Sequence, residues 1–168
     1  METNWIEWAK LASSLPTGFL GAYFGAKFTL SKFKKEKIWD YQVQTYRNAL
    51  SLIEEIAFWG LKECESFYHD GMPGGSAVKE DAFSSSMREL AQIKYVGSIY
   101  FSPEFSTMLD NAYDKFVKTY QNYATNSHMD IDEQYYHEMA GEISNDAYSW
   151  LNSLNEQAGI DLGIKFSV

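Results

Sequence analysis

Apolar and polar positions follow two different rules on either side of residue 38. Leu11 to Leu30 is a Gly-rich apolar run of twenty residues with a single charge, Lys27, and it passes directly into Ser31-Lys-Phe-Lys-Lys-Glu-Lys37. From Trp39 the apolar positions become periodic: Trp39, Val43, Tyr46, Leu50, Ile53, Ala57, Gly60 or Leu61, Cys64, then Phe67 or Tyr68. The steps alternate four and three, which is the a/d seam of a heptad repeat, as in a coiled coil. No turn signal interrupts residues 17–70, so one long helix is predicted, ending before the loop His69-Asp-Gly-Met-Pro-Gly-Gly75.

Three more helices are predicted from apolar positions at three-to-four spacing. Residues 77–101 carry Phe83, Met87, Leu90, Ile93, Val96, Gly97 and Tyr100. Ser102-Pro-Glu104 is a restart signal: a serine cap, a proline at the first helical position and an acid at the positive end of the dipole. Helix 103–125 follows, with Phe105, Leu109, Ala112, Phe116 and Tyr120 on one side. After the polar turn Thr125–Asp130 a last helix is expected over about 132–158, with Gly159 as its terminating residue and an apolar tail that docks on the bundle. No segment shows β-type alternation. Short loops favour antiparallel neighbours, so the fold class is all-α, an N-terminal membrane helix continuing into an antiparallel four-helix bundle. The expected domains are an anchor over 1–31 and a bundle over 32–168.

The membrane expectation rests on length and flanks. Twenty helical residues span about 30 Å, the thickness of a hydrocarbon core. Trp5 and Trp8 precede the run, while Lys32, Lys34, Lys35, Lys37 and Trp39 follow it, as interfacial anchors do. Lysines at the C-terminal flank orient such a span with the bulk of the chain in the cytoplasm, as a single-pass protein of the inner membrane. Competing readings are a helix lying in the interface and a cleaved signal peptide, the latter without a basic n-region. Gly21 and Gly25 form a GxxxG, with Gly18 on a second small-residue row, a pattern that lets membrane helices pack closely.

Charge adds a polarity to this picture. Residues 1–37 hold six Lys and three Glu, net +3; the remainder holds eight Lys or Arg and twenty Asp or Glu, net −12, and the two sum to −9. A domain this acidic excludes a nucleic-acid partner, because phosphate binding needs basic side chains that release counterions. Membrane lipid is the expected partner of the basic segment, and a protein partner or self-association that of the rest. The lone cysteine, Cys64, excludes an internal disulfide and falls on the helical seam formed by Val43, Tyr46, Leu50 and Ile53.

No catalytic, cofactor or metal site is expected. His137-Glu138 lacks the second histidine of a zinc HExxH, and the Glu65/His69 and Glu133/His137 pairs are spaced by four rather than the three of di-iron bundles. Asp130, Asp132 and Glu133 lack the EF-hand frame, the loop at 71–75 lacks a phosphate-cradle pattern, and Ser84-Ser-Ser86 lacks a nucleophile elbow.

Phe33-Lys-Lys-Glu-Lys-Ile-Trp39, followed by Gln44-Thr-Tyr46-Arg-Asn-Ala-Leu50-Ser-Leu-Ile53, resembles a pattern in small uncharacterised bacterial membrane proteins with one N-terminal span, a basic-Trp junction and a cytosolic helical bundle. Val96-Gly-Ser-Ile-Tyr-Phe-Ser-Pro-Glu104 is similar to a later segment of the same group, whereas Asp40 and Tyr41 depart from its more usual acidic-Lys pair. The resemblance implies a membrane-tethered helical bundle with no established activity. The leading expectation is therefore a non-enzymatic, membrane-tethered interaction or scaffold protein. The alternative is an oligomeric membrane-disrupting effector, or an accessory subunit of a bacterial phage-defence system.

Overall fold

The computed structural model describes the backbone of residues 4–70, 76–126 and 133–163, and side chains over 23–65, 82–125 and 134–163. The described residues form four α-helices: α1 Asn4–Asp70, α2 Ser76–Val96, α3 Pro103–Asn126 and α4 Glu133–Asp161, with a short 3₁₀ turn Gly97–Ile99 after α2. No strand occurs among them. The chain divides into two compact units, Met1–Tyr41 and Gln42–Val168.

Within the second unit, paired contacts give the direction of every neighbour. Ser144 Oγ donates to the Ala57 carbonyl at 2.8 Å and Cys64 Sγ to the His137 carbonyl at 3.2 Å, so α1 and α4 run antiparallel. Ser86 Oγ donates to Glu55 at 3.2 Å and Phe83 stacks on Trp59, which sets α2 antiparallel to α1. Lys94 reaches Asp110 and Asp114, and Phe83 meets Tyr120, so α2 and α3 oppose each other as well. Lys115 with Glu142 and Asp146, and Tyr123 with Tyr135, do the same for α3 and α4. This is an up-down-up-down bundle, the arrangement that short loops permit.

Its core is aliphatic in the middle and aromatic at both ends. Ile53, Ile56, Leu90, Leu109, Phe116, Ile143 and Leu154 are fully buried. Each such side chain contributes roughly 1.5–3 kcal/mol through removal of apolar area from water. One end is closed by Tyr46, Phe101 and Phe105, whose ring centroids lie 4.5–5.0 Å apart. The other holds Trp59, Phe83, Tyr120 and Tyr136 in mutual stacked, tilted or edge-on contacts.

Along α1 the seam positions Tyr46, Ile53, Ala57 and Gly60 are buried, with Val43, Leu50 and Cys64 half-buried. A second row, Ala49, Leu52, Ile56, Trp59 and Glu63, is buried too. A single coiled-coil seam does not account for it; the helix packs against α2 on one side and α4 on the other, and so buries a wider face.

Two predicted boundaries shift. The helix expected over 77–101 stops at Val96 and tightens into the 3₁₀ turn, whose first residue, Gly97, sits where a Cβ would come within 2.9 Å of Thr45 and 3.0 Å of the Phe101 ring. The last helix does not end at Gly159. It continues to Asp161, and the left-handed residue is Gly163, at φ +66°. Tertiary contacts carry it through: Gly159 is buried, Leu162 packs on the core, and the Asp161 carboxylate is held by other helices. The restart at Ser102-Pro-Glu104 forms as predicted, with Pro103 opening α3 and the Phe105 N–H donating to Ser102 Oγ at 3.0 Å.

The first unit has a different character. Every residue from Tyr23 to Tyr41 is solvent-exposed. The helix extends through the predicted apolar run, but among the described residues no helix is long and apolar enough to cross a membrane. The side chains of Leu11–Leu20, Gly21 and Ala22 lie outside the described residues, as do those of Trp5, Trp8 and Gly18.

Candidate functional site

The feature that calls for an explanation is the segment Tyr23–Tyr41. Tyr23, Phe24, Phe28, Leu30, Phe33, Ile38, Trp39 and Tyr41 are each more than half exposed, Phe28 at 79%. Eight large apolar side chains stand exposed within nineteen residues, a density of uncovered apolar surface that calls for a binding explanation. Three interactions along the segment are local to the helix. Thr29 Oγ1 donates to the Gly25 carbonyl at 2.8 Å, Lys32 pairs loosely with Glu36 at 3.9 Å, and Lys37 lies 5.7 Å from the Tyr41 ring. Lys32, Lys34, Lys35 and Lys37 are all exposed beside these rings, and a Cβ added at Gly25 would meet open space. Of the residues expected to pack membrane helices, Gly25 alone has described surroundings; those of Gly18 and Gly21 are not among the described ones, nor are the Trp5 and Trp8 side chains.

The second unit holds its polar groups in clamps between helices. Tyr46 donates to Asp161 Oδ2 at 2.8 Å and accepts from the Ser102 N–H at 2.9 Å; Ser102 Oγ donates to the same carboxylate oxygen at 2.6 Å. Gln157 donates to the other oxygen at 2.8 Å. Burial, followed by the Asp161 contact and charge, pushes the Tyr46 phenol upward against the opposing effect of Ser102. The carboxylate thus ties α1, α4 and the start of α3 at one point, with each donor drawn from a different element or turn.

At the far end Cys64 packs its Sγ against Gly141 on the α1–α4 contact. Burial, and then the neighbouring Glu63 charge, push its thiol upward, so the reactive thiolate is disfavoured. Glu63, with 2% of its surface exposed, is buried next to it, and the Trp59 indole N–H is buried with no acceptor among the described residues. Glu133 and His69, four residues from His137 and Glu65, have side chains outside the described residues. Among the described residues no group of three or more His, Cys, Asp or Glu side chains is placed to hold a metal ion.

Two lysines organise the outer surface of the bundle. Lys94 is desolvated, which lowers its pKa, yet the Asp110 hydrogen bond and the Asp110 and Asp114 charges raise it overall; its ammonium also lies 4.8 Å from the Tyr113 ring. Lys115 is raised by Glu142 and Asp146. Beyond Lys94 the bundle leaves an apolar edge uncovered: Tyr95, Val96 and Ile99 are each about three-quarters exposed. The three-to-four spacing predicts Val96 on the apolar face of its helix, but the structure leaves it exposed; Ile99 carries no such signal in the sequence.

The fold and surface describe an all-helical protein with an exposed basic-aromatic helical segment. No protein-family model, curated protein or solved structure matches the chain.

Proposed function

We propose that this is a membrane-tethered interaction protein, acting by binding rather than catalysis, with its acidic bundle on the cytoplasmic side of the inner membrane. The observation that carries this reading is the segment Tyr23–Tyr41, where aromatic and aliphatic side chains stand exposed all round a helix and lysines are set among them. Such a surface is unfavourable in water and favourable against lipid, where apolar rings enter the acyl region and lysines meet headgroups. The apolar run that precedes Tyr23 in the sequence supports the same reading. The bundle carries twelve more acidic than basic side chains over 38–168, which keeps it off an anionic surface and available to a protein partner. The uncovered Tyr95–Val96–Ile99 edge supports an interaction role for the bundle itself.

The test is co-flotation of the full-length protein with vesicles of phosphatidylethanolamine and phosphatidylglycerol, beside fractionation of cells that express it. The wild-type chain is expected in the floated and membrane fractions. A Phe24→Ser/Phe28→Ser/Phe33→Ser variant is expected to stay behind with an unaltered thermal transition of the bundle. A wild-type protein recovered wholly in the soluble fraction, and not floated, would overturn the reading.

A further inference from the structure

In the exposed segment the charges are graded along the helix axis and not sorted to one side of it. Positions seven or eleven apart lie within about 20° of each other on an α-helix. Lys34 therefore shares its side with Tyr23, Lys35 with Phe24 and Phe28, and Lys37 with Leu30. No polar face and no apolar face can be drawn. Along the axis the charges separate: Tyr23–Leu30 carries Tyr23, Phe24, Phe28 and Leu30 with one charge, Lys27, whereas Ser31–Lys37 carries four lysines and Glu36 around the single ring of Phe33. A helix lying in the interface needs its apolar side chains on one side, since one flank faces lipid and the other water along its whole length. A helix entering lipid end-on needs them at one depth.

We propose that, given the membrane reading above, this segment enters the bilayer end-on. Tyr23–Leu30 occupies the acyl region of one leaflet, and Lys32, Lys34, Lys35 and Lys37 ring the helix at the headgroups of anionic lipid. Eight residues at 1.5 Å rise cover about 12 Å, close to half of a ~30 Å hydrocarbon core. The Thr29 hydroxyl, the one side-chain hydroxyl of this stretch besides Tyr23, already donates to the Gly25 carbonyl at 2.8 Å and so enters lipid satisfied. Lys27 lies five residues, about 7.5 Å, below Lys32, within reach of the headgroups for a lysine stem that extends along the helix. The Lys32–Glu36 pair is long at 3.9 Å and highly exposed, leaving the Lys32 ammonium open to a lipid phosphate. Trp39 and Tyr41, both half-exposed or more, then stand at the water side of the lysine ring.

The experiment is a depth scan of the full-length protein bound to phosphatidylglycerol-containing vesicles. In a Cys64→Ser background each position from Phe24 to Lys37 is replaced in turn by cysteine and labelled with an environment-sensitive fluorophore. End-on entry gives a depth that falls steadily from 24 to 37. A depth that oscillates with a period of about 3.6 residues in bound protein would overturn end-on entry and leave the membrane reading standing. Wild-type protein that binds no vesicle of any composition would overturn both. For the headgroup assignment, Lys32→Gln/Lys34→Gln/Lys35→Gln/Lys37→Gln is expected to weaken binding to anionic vesicles at least ~10-fold at low salt, with little change on phosphatidylcholine vesicles. Equal losses on both would overturn that assignment.

Discussion

Tyr46 and Asp161, 115 residues apart in the chain, meet through a 2.8 Å hydrogen bond at the point where three helices of the bundle converge. The phenol is 1% exposed and serves two partners, donating to the carboxylate and accepting from the Ser102 N–H. It therefore joins the first turn of α3 to the last turn of α4 through α1. Tyr46→Phe keeps the ring packing on Phe101 and Phe105 but strands both partners, and is expected to cost about 1–2 kcal/mol. Asp161→Ala, which leaves three donors without their acceptor, is expected to cost about 1.5–3 kcal/mol. Urea unfolding followed by far-ultraviolet circular dichroism measures both; a loss under about 0.3 kcal/mol for Asp161→Ala would show that water replaces the carboxylate at no cost.

Stability is expected to fall on the alkaline side. Tyr46, Cys64, Tyr123, Lys94 and Lys115 all have raised pKa values: the first three chiefly through burial, Lys115 through Glu142, and Lys94 through Asp110 and Asp114 against its own desolvation. A raised pKa means that the folded state holds its proton more tightly than the unfolded state. Each contribution is then whole below the unfolded pKa and is lost as pH rises through the folded one. The loss begins above the ordinary thiol value of 9.0 with Cys64 and deepens above 10.0 with the tyrosines. The urea midpoint should drop from pH 9 to 11, with a shallower early drop in Cys64→Ala and a shallower late one in Tyr46→Phe. A midpoint that stays flat to pH 11 would contradict it.

Gly60 of α1 and Gly141 of α4 each lie against the other helix, with unequal tolerance. A Cβ at Gly60 would run into the Ala140 carbonyl and come within 2.9 Å of Ser144 Cβ, backbone and stem atoms that cannot turn aside. One at Gly141 meets the Cys64 Sγ at 2.9 Å, which rotates away at the cost of its hydrogen bond to His137. Gly60→Ala is expected to destabilise by about 1–3 kcal/mol or more through forced separation of the helices. Gly141→Ala is expected to come within about 1 kcal/mol of wild type, because the gain in helix propensity offsets the lost bond. Adding Cys64→Ala should remove the clash at Gly141 and leave the defect at Gly60 intact, a difference read from a double-mutant cycle.

Val96 and Ile99 offer the opposite case. Both are about three-quarters exposed, so Val96→Ser and Ile99→Ser should each change the unfolding free energy by less than about 0.5 kcal/mol in urea unfolding. A large loss in either would mean that the edge is covered in the folded protein, and would remove it from consideration as a binding surface.

The sequence by itself determined the helices, the cap at Ser102 and the contrast between a basic-apolar beginning and an acidic remainder, because these depend on residues a few positions apart. Periodicity identified Tyr46, Ile53 and Ala57 as core for the same reason. It did not reveal Ala49, Ile56 and Glu63, or Leu52 and Trp59, although each set repeats at seven; a second buried row becomes visible only when α1 has two neighbours to face. Gly159 read as a stop because a glycine near a helix end usually is one, and the contacts of Asp161 and Leu162 overrode that local preference. The clamp of Tyr46, Ser102 and Asp161 was not legible at all, since its members lie 56 and 59 residues from Ser102 and nothing in their own surroundings marks them as partners. Only the tertiary structure decided which polar groups would be buried together, because burial depends on which faces meet, and that is settled by the packing of the whole bundle.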